Sequence, residues 1–362
     1  MNSDFADIIR QFDINGELIS CKPYGSGLIN RTYKAEVTFC GVVKSYILQR
    51  INSDLFKNVD KLMENITLVT SMAKKRIIEE GRDPLRGTLT VIPSKKGLNY
   101  IKTETGYFRV YIFIENALGY DKIIKNEHFY ECAKAFGKFA EMLKNFDCDR
   151  LYETLPDFHN TPKRYENFLQ SVEEDRFDRV KDVKNEIRFA DNYRGMADGI
   201  TKLLSGGEIP YRVTHNDTKV NNVLIDVFTD KAVCVIDLDT VMKGSVCYDF
   251  GDAIRSGCNT ELQDCRDLNK VHLRLDLFEE FCKGYLETFT DITKKEKENL
   301  VFSAFIMTYE CGIRFLADYL SGDTYFRTVR PRQNLDRCRT QFKLLSEIES
   351  KFENMENTVK KY

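Results

Sequence analysis

The sequence predicts an α+β protein of two lobes, a small β-rich N-terminal one and a larger α-helical C-terminal one. Three observations carry this. Short β-branched and aromatic runs fill the first third of the chain, and helical periodicity takes over after Glu115. The densest cluster of Asp, Asn and Thr then brackets a lone β-hairpin inside the helical region. At 362 residues, two lobes and a sizeable core are affordable.

From the N-terminus, segments 28–39, 42–49, 88–93 and 107–114 read as strands, with a turn at Phe39-Cys40-Gly41. Between them, 58–78 carries Val59, Leu62, Met63, Ile66, Val69 and Met72 at three- and four-residue steps, which predicts one amphipathic helix. Residues 1–114 are therefore expected to form the N-terminal lobe, 115–120 a hinge, and 121–362 the C-terminal lobe. Phe129, Cys132, Ala133, Phe136, Ala140 and Leu143 mark one helix face, and further helical patterns follow at 273–289, 300–320 and 335–352. The hairpin strands are 222–227 and 232–236. A cleft between two lobes is the default place for a ligand.

Composition narrows the class. With 54 Lys+Arg against 56 Asp+Glu, the net charge of −2 offers no basic field for nucleic acid. No stretch approaches 18 uninterrupted apolar residues, so no membrane partner is expected. Eleven cysteines form no C-x-x-C pair, and the four histidines lie far apart. Reduced thiols in a cytoplasmic monomer are the expectation, rather than a zinc site.

The cluster around the hairpin holds the chemistry. Asp217 and Asn222 have the Asp-x-x-x-x-Asn spacing of a phosphotransfer loop, where the Asp takes or aligns a hydroxyl proton and the Asn carbonyl binds a metal. Asp237, at the end of the second hairpin strand, offers a hard carboxylate for Mg2+, and Asp239 a place for a second ion or a water. The tripeptide Asp249-Phe250-Gly251 competes for the metal role, but it lies 32 residues beyond Asp217 and follows no strand. Asp249 is instead expected to buttress the loop, with Asp252 and Arg255 as exposed or paired neighbours. Near the N-terminus, Gly25, Ser26 and Gly27 sit between strand-like runs, where backbone N–H groups can approach phosphates. Taken singly, each of these residues reads equally well as a turn or capping residue.

Together the stretches THNDTKVNN and VIDLDT resemble the catalytic and metal loops of the aminoglycoside phosphotransferase and choline kinase family, which has a protein-kinase-like fold. Within it, KPYGSGLINRTY, YILQRIN, FRVYIFIE, FHNTPKRYENF and YECGIRFLADYLSGDTYF are similar to the N-acetylhexosamine 1-kinases. This resemblance implies ATP as phosphoryl donor, Mg2+, and an N-acetylhexosamine as the small-molecule sugar substrate. It implies Asp217 as catalytic base and Asn222 with Asp237 as metal ligands. Gly25, Ser26 and Gly27 would cover the phosphates, and Phe113 to Glu115 would form the adenine hinge. Arg314 would bind sugar hydroxyls, with Tyr319, Tyr325, Leu28, Arg164 and Thr161 as lesser candidates. A salt-bridged helix arginine and a core tyrosine are the plain alternatives for Arg314 and Tyr319. Two departures stand out. Gln49 occupies the slot where the family usually places a phosphate-binding lysine, and Arg50 would face the other side of its strand. Leu28 stands where a polar residue is expected near the sugar. A kinase of another small hydroxyl compound (amino alcohol or aminoglycoside) and a catalytically silent nucleotide-binding module are the alternatives.

Overall fold

A computed structural model of the protein describes residues 2–25, 27 and 29–362; Ser26 and Leu28, both named above, lie outside the described residues. The strands in chain order are β1 (Glu17–Pro23), β2 (Arg31–Phe39), β3 (Val42–Ile51), β4 (Val91–Ile92), β5 (Ile101–Thr103) and β6 (Gly106–Ile112). They form one antiparallel sheet in the order β1-β2-β3-β6-β4, with β5 also paired to β6. Phe39 pairs with Val42, so Cys40 and Gly41 alone make the β2–β3 turn. Both have positive φ, 50° and 77°, as the twist of a two-residue hairpin loop demands. One face of this sheet buries Ala35, Val37, Leu48, Phe108 and Val110 together with Ile8, Ile9 and Phe12 of the Asn2–Ile9 helix and the turn after it.

The expected amphipathic helix is Val59–Glu79, opened by Asn58, whose side chain accepts from Lys61 N at 3.0 Å. It lies between β3 and β4 in sequence, yet its apolar face belongs to the other core. Leu62, Met63, Ile66 and Val69 pack in one cluster with Phe129, Val241 and Phe250. Buried Asn65 fastens it there, donating to Tyr152 O at 2.8 Å and Val241 O at 3.0 Å and accepting from Tyr152 N at 2.9 Å.

Beyond residue 115 the remaining strands are β7 (Ala117–Leu118), β8 (Arg212–Thr214), β9 (Val223–Asp226), β10 (Ala232–Val235) and β11 (Met242–Gly244). The β9–β10 hairpin is joined by β7, and β8 pairs with β11. The Asn126–Leu143 helix packs on Leu275–Thr288, and Leu300–Leu320 packs on Val246–Gly257, Thr161–Glu174 and Gln333–Ser350. Gly251 permits one close approach, because a Cβ there would lie 2.3 Å from Ser303 O. Leu300–Leu320 is long and apolar enough to cross a membrane, but 78% of its apolar window is buried inside the protein. It is the central core helix.

Candidate active site

A cleft of about 1210 Å³ runs between the N-terminal sheet and the hairpin region. The catalytic-loop candidates line its floor. After β8 the chain turns at Asn216, whose φ of 64° is left-handed, a conformation that Asn tolerates better than most residues. Three anchors hold this turn. Asp249, in the first turn of the Val246–Gly257 helix, accepts from His215 N at 2.9 Å and Asn216 N at 2.7 Å. Thr240 Oγ1 donates to His215 O at 2.6 Å. The His215 ring accepts from Asp217 N at Nδ1 (3.3 Å) and donates from Nε2 to Ile236 O at 2.8 Å, which fixes its tautomer. Because both Asp249 oxygens receive backbone N–H groups, that carboxylate buttresses the loop and faces away from metal chemistry. Burial nonetheless pushes its pKa up to about 6.

Asp217 reaches into the cleft. Lys219 Nζ lies 2.6 Å from Asp217 Oδ1, and Asn222 Nδ2 donates to Asp217 O at 2.7 Å and to Oδ2 at 3.2 Å. Burial alone would raise the Asp217 pKa, but Lys219, with His215 and Arg255 behind it, holds the group below the usual carboxylate range. Asn222, having given its N–H groups to Asp217, has an Oδ1 that accepts no hydrogen bond among the described residues.

Asp237 follows β10 in a left-handed conformation, φ 61°, and points into the cleft. Water reaches its carboxylate, which accepts no hydrogen bond from any described residue. The surrounding protein, then the facing Asp239 and Asp217, push its pKa up to about 6. An unpaired hard oxygen set beside crowded negative charge suits a divalent cation. No three His, Cys, Asp or Glu side chains converge as a metal cage among the described residues. Mg2+ asks for less, since it commonly takes one or two protein oxygens and completes its shell from phosphate and water.

Asp239 differs from expectation. Its oxygens are already engaged, Oδ2 by Asn30 Nδ2 at 2.6 Å and Oδ1 by Arg109 Nη2 at 2.6 Å, so the open ligand expected there is a salt-bridge partner instead. Arg109, only 1% exposed, also donates from Nε and Nη2 to Gln49 Oε1 at 3.0 and 2.8 Å. The β3–β6 register sets Gln49 directly opposite Arg109. A cation thus stands beside position 49 on the neighbouring strand, buried and paired with Asp239, and it was not among the sequence candidates. A charged residue in the otherwise apolar run Phe108–Ile112 was the available signal.

The other candidates separate clearly. Gly25, Gly27, Gln49 and Phe113 line the cleft, as do Arg314 and Tyr325. Glu115 does not; its carbonyl accepts from Arg86 Nη1 at 2.7 Å. Tyr319 is 4% exposed, off the cleft, with its ring against the Arg179 guanidinium, so it is a core residue. Arg164 is likewise off the cleft, because its Nε and Nη2 both donate to Phe158 O. Buried Thr161 bonds to Glu310. Arg255 and Asp252 form a buried pair at 2.6 Å.

Residues 20–276 match the phosphotransferase enzyme family. The chain belongs to that family. Solved structures of similar fold include spectinomycin phosphotransferase APH(9)-Ia with ADP and spectinomycin (14% identical, covering 97% of this chain and 98% of that one, TM-score 0.62). Choline kinase from Cryptosporidium parvum Iowa II is 14% identical over 100% of this chain and 99% of that one, with a TM-score of 0.60. A microcompartment-associated aminopropanol kinase is 14% identical over 98% of both chains, with a TM-score of 0.59. At such identities the likeness is one of fold, the mixed α+β protein-kinase-like arrangement. This member of the phosphotransferase family is thus a kinase-like enzyme whose family match ends before Leu300–Leu320.

Proposed function

We propose that the protein transfers the γ-phosphoryl group of ATP to the anomeric hydroxyl of an N-acetylhexosamine (N-acetylglucosamine or N-acetylgalactosamine), giving the sugar 1-phosphate. Asp217 takes the proton as the anomeric oxygen attacks the γ-phosphorus, and the bond to the bridging oxygen breaks, so that ADP leaves with the electron pair. Lys219 keeps Asp217 ionised and ready to accept. Mg2+, held by Asn222 Oδ1 and Asp237, would offset the phosphate charge. Gly25 and Gly27, which line the cleft, would cover the phosphates, and Phe113 would meet the adenine.

One observation supports a sugar. At the far end of the cleft the Arg314 guanidinium makes no hydrogen bond to any described residue and is flanked by Phe158 and Phe326 at 5.0 and 5.6 Å. Glu310 Oε1 pairs with it at 3.8 Å, too long for a hydrogen bond. A guanidinium at the cleft whose N–H groups are not committed to hydrogen bonds suits a neutral polyhydroxyl compound, whose oxygens accept them. A quaternary ammonium would gain nothing from it.

The test is ATP turnover on N-acetylglucosamine, N-acetylgalactosamine, simple hexoses, choline and kanamycin, with Asp217→Asn alongside. Turnover on an N-acetylhexosamine that consumes its reducing end and drops at least about 10²-fold in the variant is expected. Turnover on choline or kanamycin alone would discard the sugar and keep the phosphoryl transfer.

A further inference from the structure

Behind the catalytic loop lies a second, deeper arrangement. His159 and Glu310 are 8% and 0% exposed. His159 Nδ1 is 2.9 Å from Glu310 Oε1, and His159 Nε2 is 2.9 Å from the carbonyl oxygen of Asn216. Glu310 Oε2 accepts from Thr161 Oγ1 at 2.6 Å. A carbonyl oxygen can only accept, so Nε2 must carry a proton. The Nδ1 contact then needs one more proton, on the ring or on the carboxyl. Arg314 Nη1, one helical turn along at 3.8 Å from the same Oε1, favours the ionised carboxylate and so places that proton on the ring.

We propose that His159 is a positioning residue, an imidazolium paired with Glu310 whose second N–H grips the Asn216 carbonyl and thereby holds the left-handed turn that aims Asp217. This rests on the reading of Asp217 as catalytic base. The two peptide groups that flank the Asn216 Cα are then both fixed, one through the Asn216 N–H by Asp249 and the other through the Asn216 carbonyl by His159. The charged and aromatic groups around the pair come from three helices. Glu310 and Arg314 lie on Leu300–Leu320, Tyr248 and Asp249 on Val246–Gly257, and Arg164, whose charge reaches Glu310, on Thr161–Glu174. Burial disfavours charge on Glu310, yet His159, Arg314 and Thr161 together hold it below the usual carboxylate range. Losing the ring proton from either nitrogen would set two acceptors face to face at 2.9 Å, too close for a water to stand between them.

Two measurements on the full chain test this. In protein labelled with 15N-histidine, with His159→Gln identifying the signal, both His159 nitrogens are expected to be protonated at pH 7. In Glu310→Gln, whose amide can donate to Nδ1, one nitrogen is expected to be bare. In kinetics, His159→Phe is expected to lower kcat about 10²-fold at unchanged KM for ATP, the scale of a misplaced catalytic group. His159→Gln retains an N–H for the Asn216 carbonyl and should recover most of that loss. A bare ring nitrogen in the unmodified protein, or full kcat in His159→Phe, would overturn the proposal. Should His159→Phe fail to fold, the ring protonation decides alone. A doubly protonated His159 in a protein that turns over no acceptor would uphold the ion pair and sink the function proposed above.

Discussion

Arg109 shows how one buried side chain can serve two parts of a molecule. It joins Gln49, on the sheet, to Asp239, two residues beyond Asp237. Replacing it leaves the Asp239 carboxylate buried and unmatched, a change that typically costs about 3–5 kcal/mol. Arg109→Met is therefore expected to lose that order of stability in denaturant unfolding, and adding Asp239→Asn should restore part of it. Equal losses in the single and double variants would mean that the pair is not what matters. At this scale the sequence was readable where spacing carries meaning. Asp217, Asn222 and Asp237 could be singled out because the first two keep a five-residue spacing in one loop and the third follows the hairpin that comes after it. Arg109, His159 and Glu310 could not, since each acts through a partner at least 57 residues away, and no local pattern records such a distance.

Elements were legible wherever burial was one-sided. Val59–Glu79, Asn126–Leu143 and Leu300–Leu320 follow their apolar periodicity closely, because each puts one stripe, or nearly its whole surface, into the core. Val246–Gly257 escaped, although it is buried almost throughout. Its buried positions include Asp249, Asp252 and Arg255, and polar residues that serve the cleft blur the helical pattern. The Gln333–Ser350 helix shows how such an element is held from its surface. Glu347 meets Lys343 and Lys351 Nζ at 2.7 Å each, one turn to either side. Burial works against its charge, but those two lysines pull its pKa down to about 2. A depressed carboxyl contributes stability that is complete above its unfolded pKa, near 4.5, and is lost as pH falls through 2. Glu347→Gln should thus cost on the order of 2 kcal/mol at pH 7, after allowing for solvent screening, and almost nothing at pH 2. The same penalty at both pH values would assign the loss to packing.

For the whole molecule, ligand binding and stability are linked through the cleft. MgATP at 100 times its Kd should add about 2.7 kcal/mol and raise the thermal midpoint by several degrees. Removing Mg2+, or Asp237→Asn, should shrink that shift, and an unchanged shift would remove Asp237 from the metal site. The division into a strand-rich first third and a helical remainder was plain from periodicity alone. Which core the Val59–Glu79 helix joins was not, because an amphipathic stripe tells that a face is buried and not what covers it.

The family match covers residues 20–276, whereas Arg314 and Tyr325 reach the cleft from beyond it. Asp217, Asn222 and Asp237 all fall inside the matched stretch. The groups that would perform the transfer and those that would recognise its recipient are thus written on separate lengths of polypeptide. A lineage can rewrite the second length while leaving the first untouched. On the function proposed above, such a division would let one inherited reaction be retargeted by changes confined to the stretch beyond residue 276, and Glu310, on the same helix as Arg314, would be the link such rewriting has to preserve.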